Sequence, residues 1–208
     1  MKKVFAIVAS IICVAVIYPA ACLSYWFLRG VVQPLYGMEI TAEYEKLPSR
    51  TLIKKLDTLD PVGPTVSKAM MVLARRKENE AVPKIIKIID SWNPYRRYHA
   101  ILALGELGDE RAIAPLMKIV EKGKEEENYE DALMALSRLK CQEAYPYVVD
   151  LAETGDPFAN GAVIMLGELG NPDAIPLLEN IKGRIDVKQE LSNLRLRQVD
   201  DAIQKLKK

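Results

Sequence analysis

The chain has 208 residues, half of them apolar, and carries 29 Lys and Arg against 28 Asp and Glu for a formal net charge of +1. Residues 1–38 hold Lys2, Lys3 and Arg29 and no acid, so the remainder has 26 basic against 28 acidic side chains. That slightly acidic remainder lacks the basic footprint that holds phosphate backbones, so no nucleic-acid partner is expected.

Histidine and cysteine usage narrows the chemistry further. His99 is the single histidine, and Cys13, Cys22 and Cys141 are the only cysteines. No Cys/His spacing points to zinc, and one histidine leaves no constellation for nucleophilic catalysis. The sequence therefore predicts no catalytic residue, no metal and no cofactor. Cys141 reads as a small buried or half-buried hydrophobe.

From Val4 to Leu28 run 25 residues without a charge. About 20 are enough to cross a hydrocarbon core as a helix. Tyr25 and Trp26 stand near the far end, where amphipathic aromatics favour the interface. Lys2 and Lys3 outweigh Arg29 as flanking charge, which predicts a cytoplasmic N-terminus and an extracytoplasmic (periplasmic) folded domain. A second reading is a signal peptide ending at the small residues Ala20 and Ala21. Cleavage before Cys22 would give an exported lipoprotein. Residues 1–29 are thus a transmembrane anchor or signal peptide, and residues 30–40, with Gly30, Pro34 and Gly37, a linker.

Residues 41–208 repeat. AILALGELGDERAIAPL (100–116) and AVIMLGELGNPDAIPLL (162–178) match closely; ALMALSRLKCQEAYPYV (132–148) and AMMVLARRKENEAVPKI (69–85) keep the pattern. Ala69, Ala100, Ala132 and Ala162 are 31, 32 and 30 residues apart, and Ala81, Ala112, Ala144 and Ala174 repeat those separations twelve residues later. Each unit reads as two helices. Ile101, Leu102, Leu104 and Leu107 form the apolar stripe of one first helix, and Ile113, Leu116, Ile119 and Val120 that of its second helix. Gly108 and Gly170 supply left-handed residues that end first helices; Asp109 and Asn171 cap the second helices, with Pro172 in the first turn. Full repeats fall at about 64–90, 95–122, 128–153 and 157–183. Ser49–Leu59 reads as half a unit before them, and 187–206 as a capping helix with Leu191, Leu194, Val199, Ile203 and Leu206 toward the stack. A lone helix pair cannot bury both faces, so the units must stack.

The pattern A-x-x-x-L-G-E-L-G-x-x-x-A-I resembles HEAT repeats of the short type first noted in phycobilisome lyases, over residues 65–183. The resemblance implies an all-α, right-handed α-solenoid whose second helices line a concave face, here preceded by a transmembrane helix. Deoxyhypusine hydroxylase resembles this architecture but binds iron through repeated His-Glu pairs, and His99 is followed by Ala100. No short motif of the phycobilin lyases maps onto the chain.

Binding is then the work to be explained. In the repeat register Lys84, Pro115, Tyr147 and Leu177 are equivalent, as are Lys87, Lys118, Asp150 and Asn180. These positions predict a contact face running from basic to acidic and apolar, with Tyr147 and Leu177 as apolar members. Trp92, Tyr95 and Arg96, where an inter-repeat turn passes into the following helix, have the composition of interface hot spots. Packing within the stack is the structural counter-reading for both groups, and Arg97 occupies a place where HEAT repeats often have a structural arginine. The expected function is a membrane-tethered, non-catalytic scaffold for a partner protein. An accessory or assembly subunit of a membrane complex is the alternative, with a lyase-like enzyme third.

Overall fold

The computed structural model describes residues 42–58, 64–154, 161–186 and 192–207. The expected membrane segment at 4–28 and the linker at 30–40 lie outside them, and no helix among the described residues is long and apolar enough to cross a membrane. The chain divides into two compact units, residues 1–47 and 48–208. In the first, residues 42–47 end in a turn closed by Lys46 and Leu47 N–H donating to the Glu43 and Tyr44 carbonyls, each at 3.1 Å.

Ten α-helices make up the described part of the second unit: α1 (Ser49–Lys55), α2 (Pro64–Arg75), α3 (Val82–Ile88), α4 (Pro94–Leu107), α5 (Ile113–Val120), α6 (Tyr129–Arg138), α7 (Tyr145–Thr154), α8 (Ala162–Leu169), α9 (Ile175–Gly183) and α10 (Ser192–Leu206). They form two rows. The first helices α2, α4, α6, α8 and α10 pack each on the next, and every second helix from α3 to α9 packs against the first helix that follows it. The α1 helix packs on α2 as a second helix would, and α10 packs on α8 and α9. Among the described residues the fold is all-helical, a solenoid of HEAT-like helix pairs.

Both alanine series are buried to 0% exposure: Ala69, Ala100, Ala132 and Ala162 in the first helices, and Ala81, Ala112, Ala144 and Ala174 where the second helices begin. A side chain larger than a methyl would push the two rows apart at these points. The tightest approach needs no side chain at all. A Cβ on Gly105 would stand 2.8 Å from the Ala135 Cα, and one on Gly167 would stand 3.0 Å from the Ala202 Cα. These glycines, the first in each LGELG, let the α4 backbone meet α6 and the α8 backbone meet α10. Sequence reading gave a role to the second glycine of the motif and missed the first.

The second glycine behaves as expected. Gly108 and Gly170 have φ of 76° and 75° and end α4 and α8. Their register equivalents Lys77 and Lys140 hold the same left-handed conformation, at 55° and 56°. The bend is therefore common to all four units, and two of them adopt it with a Cβ present. A one-turn 3-10 helix then opens each second helix: Asn79–Ala81, Glu110–Ala112, Gln142–Ala144 and Pro172–Ala174. Asp109 Oδ1 accepts from Arg111 N–H and Asn171 Oδ1 from Asp173 N–H, both at 3.0 Å, while Glu78 and Cys141 stand at these positions without a capping bond to the backbone. The Arg111 guanidinium also hydrogen-bonds the Asp109 carboxylate and holds its pKa below the ordinary carboxylate value.

Two apolar stripes differ from expectation in one member each. Ile101, Leu104 and Leu107 are buried, but Leu102 is only half-buried. In α10, Val199, Ile203 and Leu206 are buried with Ala202, whereas Leu194 is 55% exposed. Five residues before Val199, Leu194 lies about 140° around the helix from the packed face; Leu191 falls among residues not described. Cys141 is buried, as expected of a small hydrophobe.

Gly105→Ala should cost about 1–3 kcal/mol, the range for forcing atoms into a packed contact. Lys140→Gly should add about 1 kcal/mol by relieving the left-handed backbone. Urea unfolding followed by circular dichroism reads both, and the opposite signs separate crowding from backbone strain.

Candidate functional site

The second-helix row carries the candidate positions on α3, α5, α7 and α9. Lys84, Tyr147 and Leu177 are half-buried there, and Lys87, Lys118, Asp150 and Asn180 are exposed. The exposed set follows from the helical period: Ile85, Leu116, Val148 and Leu178 are buried at 0% exposure, and residues two positions on face away from them.

Two of these side chains are already engaged across joints between units. Lys84 Nζ reaches Asp57 Oδ2 at 2.5 Å, tying α3 to the end of α1. Asp150 Oδ2 receives Lys124 Nζ at 2.6 Å, and the same ammonium donates to Thr154 Oγ1 at 2.9 Å. Such half-exposed pairs contribute little stability but fix the direction of both side chains. Lys87 and Lys118, by contrast, make no ion pair with any described residue. The free positive charge of the row thus sits on α3 and α5.

Around Asp150 the structure assembles a cluster that the sequence did not single out. Tyr129, at the start of α6, is 4% exposed. Burial pushes its phenol pKa up, and the nearby charge of Asp150, then Tyr147, adds to the effect. Tyr129, Tyr147, Asp150 and Lys124 therefore share one neighbourhood, built from a loop, a first helix and a second helix. Lys124 lies in the loop between two repeats and has no register equivalent, and the equivalents of Tyr129 are Val66 and Arg97, which share no chemistry with it.

The aromatic turn divides into two parts. Asn93 caps α4 by accepting Arg96 N–H at 3.2 Å, and Pro94 takes the first helical position. Tyr95 and Tyr98 both meet the His99 ring edge-on, at centroid distances of 4.4 and 5.1 Å, and His99 is buried. Arg96 donates to the Thr58 carbonyl at 3.3 Å. Arg97 donates to the Ser91 carbonyl at 2.8 Å and pairs with Glu127 of the next unit. These side chains hold the joint together. Trp92 does not share in this: its indole is 72% exposed, the most exposed large hydrophobic among the described residues.

Other joints are closed by side chains reaching main-chain carbonyls. Lys77 donates to the Glu106 carbonyl, Arg111 to that of Asn79 at 2.9 Å, and Gln142 to that of Leu169 at 2.9 Å. At the far end Lys182 meets Asp200 at 2.5 Å and Lys205 meets Glu168 at 2.6 Å, fastening α10. Among the described residues no group of three or more His, Cys, Asp and Glu is placed to hold a metal ion.

Trp92→Ala should leave stability within about 0.5 kcal/mol of the parent, as expected for an exposed position. Arg97→Ala should cost about 1.5 kcal/mol or more through its charged hydrogen bonds. Thermal unfolding of the two variants side by side tests this division of labour.

Residues 49–136 match the family model for HEAT repeats. No curated protein matches the chain. Among solved structures, the chain is similar to the complex of CpcE and CpcF of phycocyanin lyase from Nostoc sp. PCC7120, with a TM-score of 0.58 and 22% identity over 77% of this chain. It spans 65% of the length of that solved chain. The helix pairs beyond residue 136 continue the register of the matched segment, and the described stack is a solenoid of HEAT-like repeats.

Proposed function

We propose that this chain is a non-catalytic scaffold, tethered to a membrane by residues 4–28, that binds a partner protein through its row of second helices and the adjoining Trp92 turn. The observation that carries the reading is the exposure of Trp92 at 72% on a turn whose other aromatic and basic side chains are engaged within the fold. A large apolar ring left in water at an otherwise satisfied joint is the feature expected of a protein contact. Lys87 and Lys118 give the second-helix row positive charge without an ion pair to any described residue, which favours an acidic partner surface. Tyr147, Leu177 and Asn180 continue the row away from them.

The uncharged run at 4–28 supports a single-pass anchor with the N-terminus in the cytoplasm and the solenoid on the extracytoplasmic side. Cleavage before Cys22 would replace the helix by a lipid anchor and leave the solenoid on that side. Intact mass of the purified protein distinguishes the two forms.

Crosslinking in the native membrane, followed by capture of the chain, should recover a specific protein. Trp92→Ala and the pair Lys87→Glu, Lys118→Glu should each lower recovery at least fivefold. Full recovery by all these variants would remove the second-helix row from consideration. Exchange of residues 1–29 for an unrelated anchor separates scaffold from complex subunit: a scaffold tolerates it, whereas a subunit held by its membrane helix leaves its complex. The likeness to phycocyanin lyase subunits is one of fold, and it keeps a lyase-like activity as a further reading. A tetrapyrrole retained by the purified protein and visible in its absorbance would favour that reading over the scaffold.

A further inference from the structure

The outer side of the first-helix row carries a regular pattern that the proposed partner-binding face does not use. Two residues after each buried alanine stands an apolar side chain: Met71, Leu102, Met134 and Ile164 on α2, α4, α6 and α8. Met71 and Ile164 are 42% and 41% exposed, and the two central members are half-buried. Four residues further on, and so on the same face of each helix, stand Arg75, Glu106, Arg138 and Glu168. An apolar line thus runs across four successive helices beside a parallel line of charges whose sign alternates +, −, +, −. First helices at the usual spacing of about 8–10 Å make this line about 30 Å long. That is the width of a standard interface patch.

The alternation selects one occupant. Face-to-face pairing of two copies has two symmetric solutions, according to whether the two-fold axis runs along the stack or along the helices. With the axis along the stack, the charge lines are thrown to opposite sides of the apolar line and meet nothing. With the axis along the helices, between α4 and α6, the order of units reverses and both lines superpose. Met71 then faces Ile164 of the second copy, and Leu102 faces its Met134. Arg75 faces Glu168 of the second copy, and Glu106 faces its Arg138. Every apolar residue meets an apolar one, and every charge meets its opposite.

We propose that this face is a self-association surface, through which two copies of the chain pair antiparallel about a two-fold axis parallel to the first helices. The central charges carry the specificity. Neither Glu106 nor Arg138 has an ion pair with any described residue, whereas Glu168 already holds Lys205 at 2.6 Å. At the end of the row Asp201, exposed on α10, breaks the apolar line and limits pairing to four units. The proposal is independent of the partner-binding reading, which concerns the other row.

The test uses the full-length chain in detergent micelles, sized by light scattering and by sedimentation. The parent should be a dimer at micromolar concentration. Glu106→Arg and Arg138→Glu should each weaken dimerisation by about tenfold or more, since each creates two like-charge contacts across the axis. The double variant carrying both exchanges should restore it. In a background with Cys13→Ser and Cys22→Ser, separately tagged Leu102→Cys and Met134→Cys chains should form a mixed disulfide-linked dimer. Leu102→Cys chains alone should not. Circular dichroism of each variant checks that the solenoid is folded. A monomeric parent, a dimer indifferent to the single exchanges, failure of the double exchange to restore pairing, or Leu102→Cys chains crosslinking to one another would each overturn the proposal. So would capture of a different protein at the stripe in place of the second copy.

Discussion

The close approach of first helices is the constraint on which the rest of this structure depends. Where α4 meets α6 and α8 meets α10, a glycine on one helix lies against the Cα of an alanine on the next. Backbones this near leave no room for adjustment by side-chain rotation, so rotation and height of each helix are fixed relative to its neighbour. Fixing those two quantities fixes which residues of the second helices turn inward. The buried Ile85, Leu116, Val148 and Leu178 occupy one register position for this reason. The contact pattern along each row follows from it.

A second constraint works within each unit. The left-handed residue at positions 77, 108, 140 and 170 reverses the chain in the same way each time. Glycine is used where the motif also demands close packing three residues earlier, at Gly105 and Gly167. In the other two units that earlier position is Ala74 or Ser137, and the left-handed residue is lysine. Lys77 turns this to use, because its side chain reaches the Glu106 carbonyl of the following unit. Lys140 shows no such bond, although its own carbonyl accepts from Gln142, whose amide also donates to the Leu169 carbonyl. Near the bend, Lys77 thus fastens the first unit to the second and Gln142 the third to the fourth.

This explains what was legible in the sequence. Periodicity, caps and left-handed glycines are local signals, and they placed the helix pairs and the α10 stripe of Val199, Ile203 and Leu206 correctly. Side-chain engagement across joints is not local. Lys84 and Asp150 stand at contact positions of the repeat register, but Lys84 pairs with Asp57, 27 residues earlier, and Asp150 with Lys124 from the preceding loop, which no local pattern shows. Apolar character alone puts Leu102 and Leu194 in buried stripes, but their angle around the helix leaves Leu102 half-buried and Leu194 exposed. Gly105 reads as part of a local motif, yet its reason for being glycine is the Ala135 backbone on the next first helix.

The two misassigned leucines also separate the rows by kind. On the second-helix side the equivalent positions 84, 115, 147 and 177 hold Lys, Pro, Tyr and Leu, and 87, 118, 150 and 180 hold Lys, Lys, Asp and Asn. No chemical rule survives from unit to unit. On the first-helix side, positions 71, 102, 134 and 164 are all apolar, and 75, 106, 138 and 168 alternate in sign without exception. Regularity along a row is what another regular row can match, since a repeated unit offers its neighbour the same geometry four times. A surface of this kind is self-complementary when reversed, and an arbitrary protein is not. The irregular row and the regular row lie on different helices of one stack, so the two proposed surfaces do not compete.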